Sequence, residues 1–194
     1  MFSQPHEIAF QLPGWINAYT QSYEPTTDIN KRMEFVIAAS RLNIEQASGG
    51  PFAAAIFEDG TGKLVSLGVN LVTTQQLSFL HAEMVAIAIA QKKLDTYDLG
   101  DAALPPYELF STTEPCAMCL GAIPWSGVNR VVTAANDMDA RSIGFDEGSK
   151  PDDWIKSLND RGIEVIDNVE AEAAKEVLQL YSRMNGDIYN TRQD

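Results

Sequence analysis

Cysteine and histidine are both scarce in this chain, two of each among 194 residues. Two cysteines cannot build the disulfide framework of a small secreted domain. Basic side chains are few as well: 14 Lys and Arg stand against 27 Asp and Glu, a formal net charge of −13. Polyanion binders neutralise phosphates with clustered Lys and Arg, and no basic run here exceeds the pairs Lys31-Arg32 and Lys92-Lys93. A free small molecule is therefore a better-matched partner than a nucleic acid. No apolar run approaches the roughly 20 residues of a membrane helix, so no membrane partner is expected. Met1 to Gln11 lacks a basic segment running into an apolar one. The expected setting is a reducing cytoplasm, where thiols stay available to a metal.

What little Cys and His there is falls almost entirely in two short motifs. Both cysteines lie in Pro115-Cys116-Ala117-Met118-Cys119, and one histidine opens His81-Ala82-Glu83. His6, the other, sits in a polar N-terminal stretch. Two thiolates balance the charge of Zn²⁺, and one neutral imidazole completes a three-ligand set. Catalytic zinc sites leave the fourth position to water, whereas structural ones close it with a protein ligand. No third cysteine exists to close this one. Water in such a position is acidified to a pKa of roughly 7, and the Glu83 carboxylate is a candidate proton carrier. Cys-x-x-Cys alone also reads as a thioredoxin-like redox pair; the upstream His-Ala-Glu argues for the metal.

The rest of the chain reads as one globular domain, with 45% hydrophobic residues. Residues 28–184 form the domain, residues 1–27 an irregular or partly helical extension, and residues 185–194 a polar tail. Asp28 to Ala47 has apolar residues at helical spacing behind a suitable N-cap. Phe52 to Phe57 and Lys63 to Val69 flank a Gly-rich turn and read as a hairpin. His81 to Leu94 is apolar on nearly all sides, a buried helix. Tyr107 to Thr112, Asn129 to Ala135 and Ile163 to Ile166 are further strands. Pro115 opens a short helix that Pro124 ends or kinks. Asp152 to Leu158 and Val169 to Met184 complete the helices. Strands alternating with helices predict an α/β domain on a mixed sheet.

Motif geometry adds a constraint. Residues i and i+2 point about 200° apart on a regular helix. His81 and Glu83 can therefore converge on one metal only at a helix N-terminus. With the cysteine pair also at a helix start, two helix N-termini face the metal and favour anions there.

From about Glu34 to Lys150 the chain resembles the cytidine deaminase-like superfamily. The resemblance rests on Pro51-Phe52-Ala53-Ala54, Asn70, His81-Ala82-Glu83 and Thr113-Glu114-Pro115-Cys116-Ala117-Met118-Cys119, in that order. Ala53 stands where many relatives have glycine. Cys119-Leu120-Gly121-Ala122-Ile123 and Gly144-Phe145-Asp146-Glu147 are similar to the bacterial guanine deaminase branch. The resemblance implies a three-layer α/β/α sandwich with a five-stranded mixed sheet. It implies Zn²⁺ held by His81, Cys116 and Cys119, with Glu83 as proton shuttle. It also implies a homodimer in which the C-terminal tail closes an active site, that of the neighbouring subunit, and an acid near the substrate at Glu147 or Asp146.

The chemistry of the base supports such an acid. Guanine presents N1–H and its 2-amino group side by side, and a carboxylate accepts two such donors. Departing ammonia must also gain a proton, a task for a second acid beside Glu83. The competing reading of Asp146-Glu147 is a solvated turn. Asn70 either hydrogen-bonds the ring edge or caps a turn, and Phe145 either stacks on the base or packs. Glu114 is better suited to a helix-start amide than to substrate. The expected reaction is hydrolysis of guanine to xanthine and ammonia. The alternatives are tRNA-adenosine or cytosine deamination, or a zinc scaffold that binds without turnover.

Overall fold

The computed structural model describes residues 3–191. The strands are β1 (Ala53–Glu58), β2 (Leu64–Val69), β3 (Tyr107–Thr113), β4 (Arg130–Ala135) and β5 (Glu164–Ile166). The helices are α1 (Ile16–Gln21), α2 (Ile29–Glu45), α3 (Val72–Gln75), α4 (Ala82–Leu94), α5 (Ala117–Ser126), α6 (Asp137–Ser142), α7 (Trp154–Asn159) and α8 (Ala171–Arg183). One five-stranded sheet runs in the order β2-β1-β3-β4-β5. β1 is antiparallel to both β2 and β3, while β3, β4 and β5 are parallel. This is the mixed sheet expected from the sequence. No helix of the described residues is long and apolar enough to cross a membrane.

Strand alternation builds two cores, one on each face of the sheet. Ala53, Ala55 and Phe57 of β1, Phe110 of β3 and Val132 of β4 join α2 and α8 in one core. Ala54 and Ile56 of β1, Leu109 of β3 and Val131 of β4 join α4, α5 and α7 in the other. Both faces are thus covered, which is why the strands read as near-continuous apolar runs. On the second face α4 lies unusually close to β2. A Cβ at Gly68 would sit 2.3 Å from the Ala82 carbonyl oxygen and 2.4 Å from the Ala86 nitrogen. Only glycine admits that approach, and it seats the N-terminus of α4 at the end of β2.

The extension is anchored by its aromatics. Tyr19 stacks on Phe35 with ring centroids 4.6 Å apart, and its hydroxyl donates to the Phe35 carbonyl at 2.6 Å. Trp15 Nε1 donates to Ser48 Oγ at 3.0 Å, and Tyr23 packs on Phe35 and Phe57. α1 thereby lies beside β2, an edge strand, and shields it.

Both ends of α5 differ from the sequence expectation. Pro115 does not open α5: Cys116, extended at φ −65° and ψ 170°, is the N-cap, and the helix begins at Ala117. Pro124 neither ends nor breaks it, because it falls in the last turn: the helix runs two residues further, to Ser126, and is capped by Gly127 in the left-handed conformation. Beneath the sheet, Arg32 and Glu108 form a buried ion pair at 3.0 Å, with Arg130 on the other Glu108 oxygen at 3.0 Å.

Candidate active site

The site lies where β2 and β3 end and α4 and α5 begin. His81 is the N-cap of α4 and Cys116 the N-cap of α5. Both helix starts point at one spot, as the spacing of the motifs required. His81 Nδ1 lies 3.4 Å from Cys116 Sγ and 3.7 Å from Cys119 Sγ. Among the described residues this is the one cluster of Cys, His and carboxylate groups placed to hold a metal, its donor atoms all within 4.8 Å of one another.

Zinc fits that donor set. Zn–S and Zn–N bonds of about 2.3 and 2.0 Å at a tetrahedral angle place nitrogen and sulfur about 3.5 Å apart, between the two observed distances. The donors are one imidazole and two thiols, with no fourth protein ligand in the cluster. Electrostatics prepare the thiols. Hydrogen bonding from Cys119 and from His81 holds the Cys116 thiol down at about 4 despite burial, while that same hydrogen bond to Cys116, together with burial, pushes the Cys119 thiol up. Burial alone would lower His81; its hydrogen bond to Cys116 and the charges of Cys116, Glu83 and Glu147 raise it instead.

Glu83 sits in the first turn of α4 and is buried, and Ser111 Oγ donates to its Oε1 at 3.3 Å. Burial, then the Cys116 charge, raises its pKa above the ordinary carboxylate range. Such a carboxylate takes up a proton more readily than an exposed one. Glu147 is 6% exposed, and burial together with the charges of Cys116 and Glu83 raises it to about 8. It is no solvated turn residue. Its carbonyl accepts the Ala117 N–H, the first free amide of α5, at 2.9 Å.

His81, Glu83, Cys116 and Glu147 line a cleft of about 180 Å³ together with Phe52, Asn70, Thr113, Phe145, Asp146 and Tyr189. Asn70 caps a turn and keeps a donor free at the cleft. Its Oδ1 accepts from Val72 N at 3.3 Å, capping the turn into α3, while its buried Nδ2 has no partner in the protein. Phe145 packs edge-on against Phe52 at 4.9 Å and at a tilt against Tyr189 at 5.0 Å, forming an aromatic wall. The Asp146 carboxylate is mostly exposed and accepts from Gly148 N at 2.9 Å. Glu114 Oε2 accepts the Asp137 N–H, the first amide of α6.

Sequence reasoning passed over Ser111 and Thr113, which share one face of β3 two residues apart and meet the site. Thr113 Oγ1 is buried without a partner. Alternation along β3 was the available signal. Nothing in the sequence marked Asn190, whose side chain donates to the Gly144 carbonyl at 2.8 Å and accepts from Asp146 N at 2.9 Å.

Known proteins agree with this geometry. Residues 26–135 match the cytidine and deoxycytidylate deaminase zinc-binding region. Guanine deaminase of Bacillus subtilis is 43% identical over 99 residues, 51% of this chain and 59% of that enzyme, so the match leaves over a third of the relative uncovered. The crystal structure of guanine deaminase from Nitrosomonas europaea superposes with a TM-score of 0.87 at 40% identity, covering 94% of this chain and all of that one. A related mutant protein in complex with 8-azaguanine superposes with a TM-score of 0.89 at 39% identity, covering 94% of this chain and all of that one. The chain belongs to the zinc-binding cytidine and deoxycytidylate deaminase family.

Proposed function

We propose that this protein is a zinc-dependent aminohydrolase that converts guanine and water to xanthine and ammonia. The observation that carries the reading is Glu147, buried at the cleft beside Glu83 and the cysteines. A base with two adjacent N–H donors supplies what a buried carboxyl group lacks, and guanine offers N1–H beside its 2-amino group. The likeness over the whole chain to a guanine deaminase structure supports the same substrate.

His81, Cys116 and Cys119 hold the zinc, which when bound supplies Lewis acidity and brings water within reach of ionisation near neutral pH. Asn70 Nδ2 donates to an acceptor on the ring, its missing partner. Phe145, Phe52 and Tyr189 flank the ring plane. Glu83 takes the proton of the attacking water and delivers it to ring N3 as the C2–O bond forms. Glu147 orients the base and carries the remaining water proton from the new C2 hydroxyl to the departing amine, so that the C2–N bond breaks as the C2=O bond forms. Asp146, exposed and tied to the backbone of its own turn, shapes the loop that carries Glu147 instead of contacting the base.

The tail serves as a lid. Tyr189 reaches into the cleft, and Asn190 ties it to Gly144 and Asp146. Such a cover excludes water and strengthens the electrostatics of the carboxylates. It also leaves room for a free base more readily than for tRNA. The protein works in the cytoplasm as a homodimer. The outer face of α5 supports the dimer: Met118 and Trp125, the latter 82% exposed, stand out on a helix that is apolar on every side.

Ammonia release from guanine, cytosine, adenine, cytidine and tRNA tests the assignment. Turnover of guanine above all others is expected. Activity on tRNA or cytosine with none on guanine would overturn it.

A further inference from the structure

Lys150 belongs to no motif, yet its side chain is only 8% exposed. An ammonium carries three donors, and here each finds an acceptor. Lys150 Nζ lies 2.6 Å from Glu114 Oε1, 3.1 Å from the Pro115 carbonyl and 2.8 Å from Asp137 Oδ1. Those acceptors stand on the segment leading into α5 and on the first turn of α6. Lys150 itself ends the irregular loop that carries Glu147.

That loop has other ties: Phe145 is buried against Phe52 and Tyr189, and Asn190 bonds Gly144 and the Asp146 amide. It holds no helix or strand between Ile143 and Pro151. Glu147 is pinned through its carbonyl on Ala117 N, and Arg141 reaches the Gly148 carbonyl at 2.9 Å from a side chain 37% exposed. Gly148 lets the loop press on α5: its φ is +72°, and a Cβ there would lie 2.9 Å from that of Ala117. Among these ties the Lys150 clamp is the one ion-paired and shielded from solvent, so it is the least screened. It joins the Glu147 loop directly to the residue before the zinc ligand Cys116.

We propose that Lys150 is a positioning residue that acts through Glu147, holding its carboxyl group at a fixed distance from the start of α5. The proposal rests on the role given to Glu147 above. A misplacement of about 1 Å at a reacting group can cost a factor of about 10². Lys150→Met is therefore expected to lower kcat/KM by tenfold or more while the protein keeps its zinc.

The test is a double-mutant cycle on guanine turnover, with zinc measured in every variant. In the Glu147→Gln background, Lys150→Met should cost less than twofold, because its target is already disabled. Lys150→Arg, which keeps the charge, should recover part of the loss. Equal losses in both backgrounds, or wild-type kinetics for Lys150→Met, would overturn the proposal and leave the Glu147 assignment standing. Wild-type kinetics for Glu147→Gln would sink both. Should Lys150→Met not fold, Asp137→Asn weakens the same clamp, and the same cycle reads the same coupling. Should the enzyme prefer another amino-heterocycle to guanine, the cycle run on that base separates the role of Lys150 from the choice of substrate.

Discussion

Replacing Asn70 with alanine separates a substrate contact from a structural one. The side chain is 1% exposed, and its Nδ2 has no partner in the protein while its Oδ1 holds Val72 N at a weak 3.3 Å. A buried donor left unmade costs about 1–3 kcal/mol, whereas an ordinary hydrogen bond contributes about 0.5–1.5. In the free protein Asn70→Ala therefore removes an unsatisfied group and a weak cap together, and the two effects largely cancel. With guanine bound the balance changes, because an acceptor on the ring then stays buried and unpaired, again about 1–3 kcal/mol. At about 1.4 kcal/mol per tenfold, kcat/KM should fall by about 5- to 150-fold. The melting temperature should move by less than about 5 °C, since about 1 kcal/mol shifts it by 2–4 °C at this chain length. Steady-state kinetics and differential scanning calorimetry on the same preparation give both numbers. Unchanged kinetics, or a melting point lowered by more than about 10 °C, would refute the reasoning.

Further outcomes are expected elsewhere. Glu83→Ala should retain zinc yet lose about 10²-fold or more in turnover, so metal analysis beside kinetics separates shuttle from ligand; near-normal turnover would show the shuttle misassigned. Removing the residues after Met184 should cut turnover markedly with zinc content unchanged, and full activity in the truncated protein would make the tail a solvated end. Asp137 is held below its usual 3.8: burial opposes this, but the hydrogen bonds from Arg141 and Lys150 prevail. Its contribution is thus present above pH 3.8 and lost as pH falls through the lower folded value. Urea titrations should show Asp137→Asn destabilised at neutral pH, with the gap closing below about pH 3.8; a gap that widens in acid would reverse the assigned sign.

Much of the framework was legible because local chemistry and global fold agree. Asp28 caps α2 by accepting from Asn30 N and Lys31 N, and the strands and main helices follow from their apolar periodicity. The convergence of His81 and Glu83 on one site required a helix start, and α4 begins at Ala82. What escaped the sequence depends on contacts between distant residues. α6 is six residues long and stands on a capping box between Asn136 and Asp139 and on Glu114 from another element. Lys150 sits in a polar stretch that reads as solvated, and only the fold reveals three acceptors around it. Arg32, beside Lys31, likewise looks exposed, but it lies buried against Glu108 and over the Phe110 ring at 4.6 Å. Pro124 suggests a helix end or kink from its residue type, because spacing alone does not show that α5 runs two residues further.

The most direct measurement of the central claim is xanthine formation from guanine by the purified protein, with zinc determined in the same sample. The account predicts about one zinc per chain, xanthine and ammonia released in equal amounts, and loss of both metal and activity in Cys116→Ala. Folded, zinc-loaded protein that leaves guanine intact, or active protein without a bound transition metal, would contradict it.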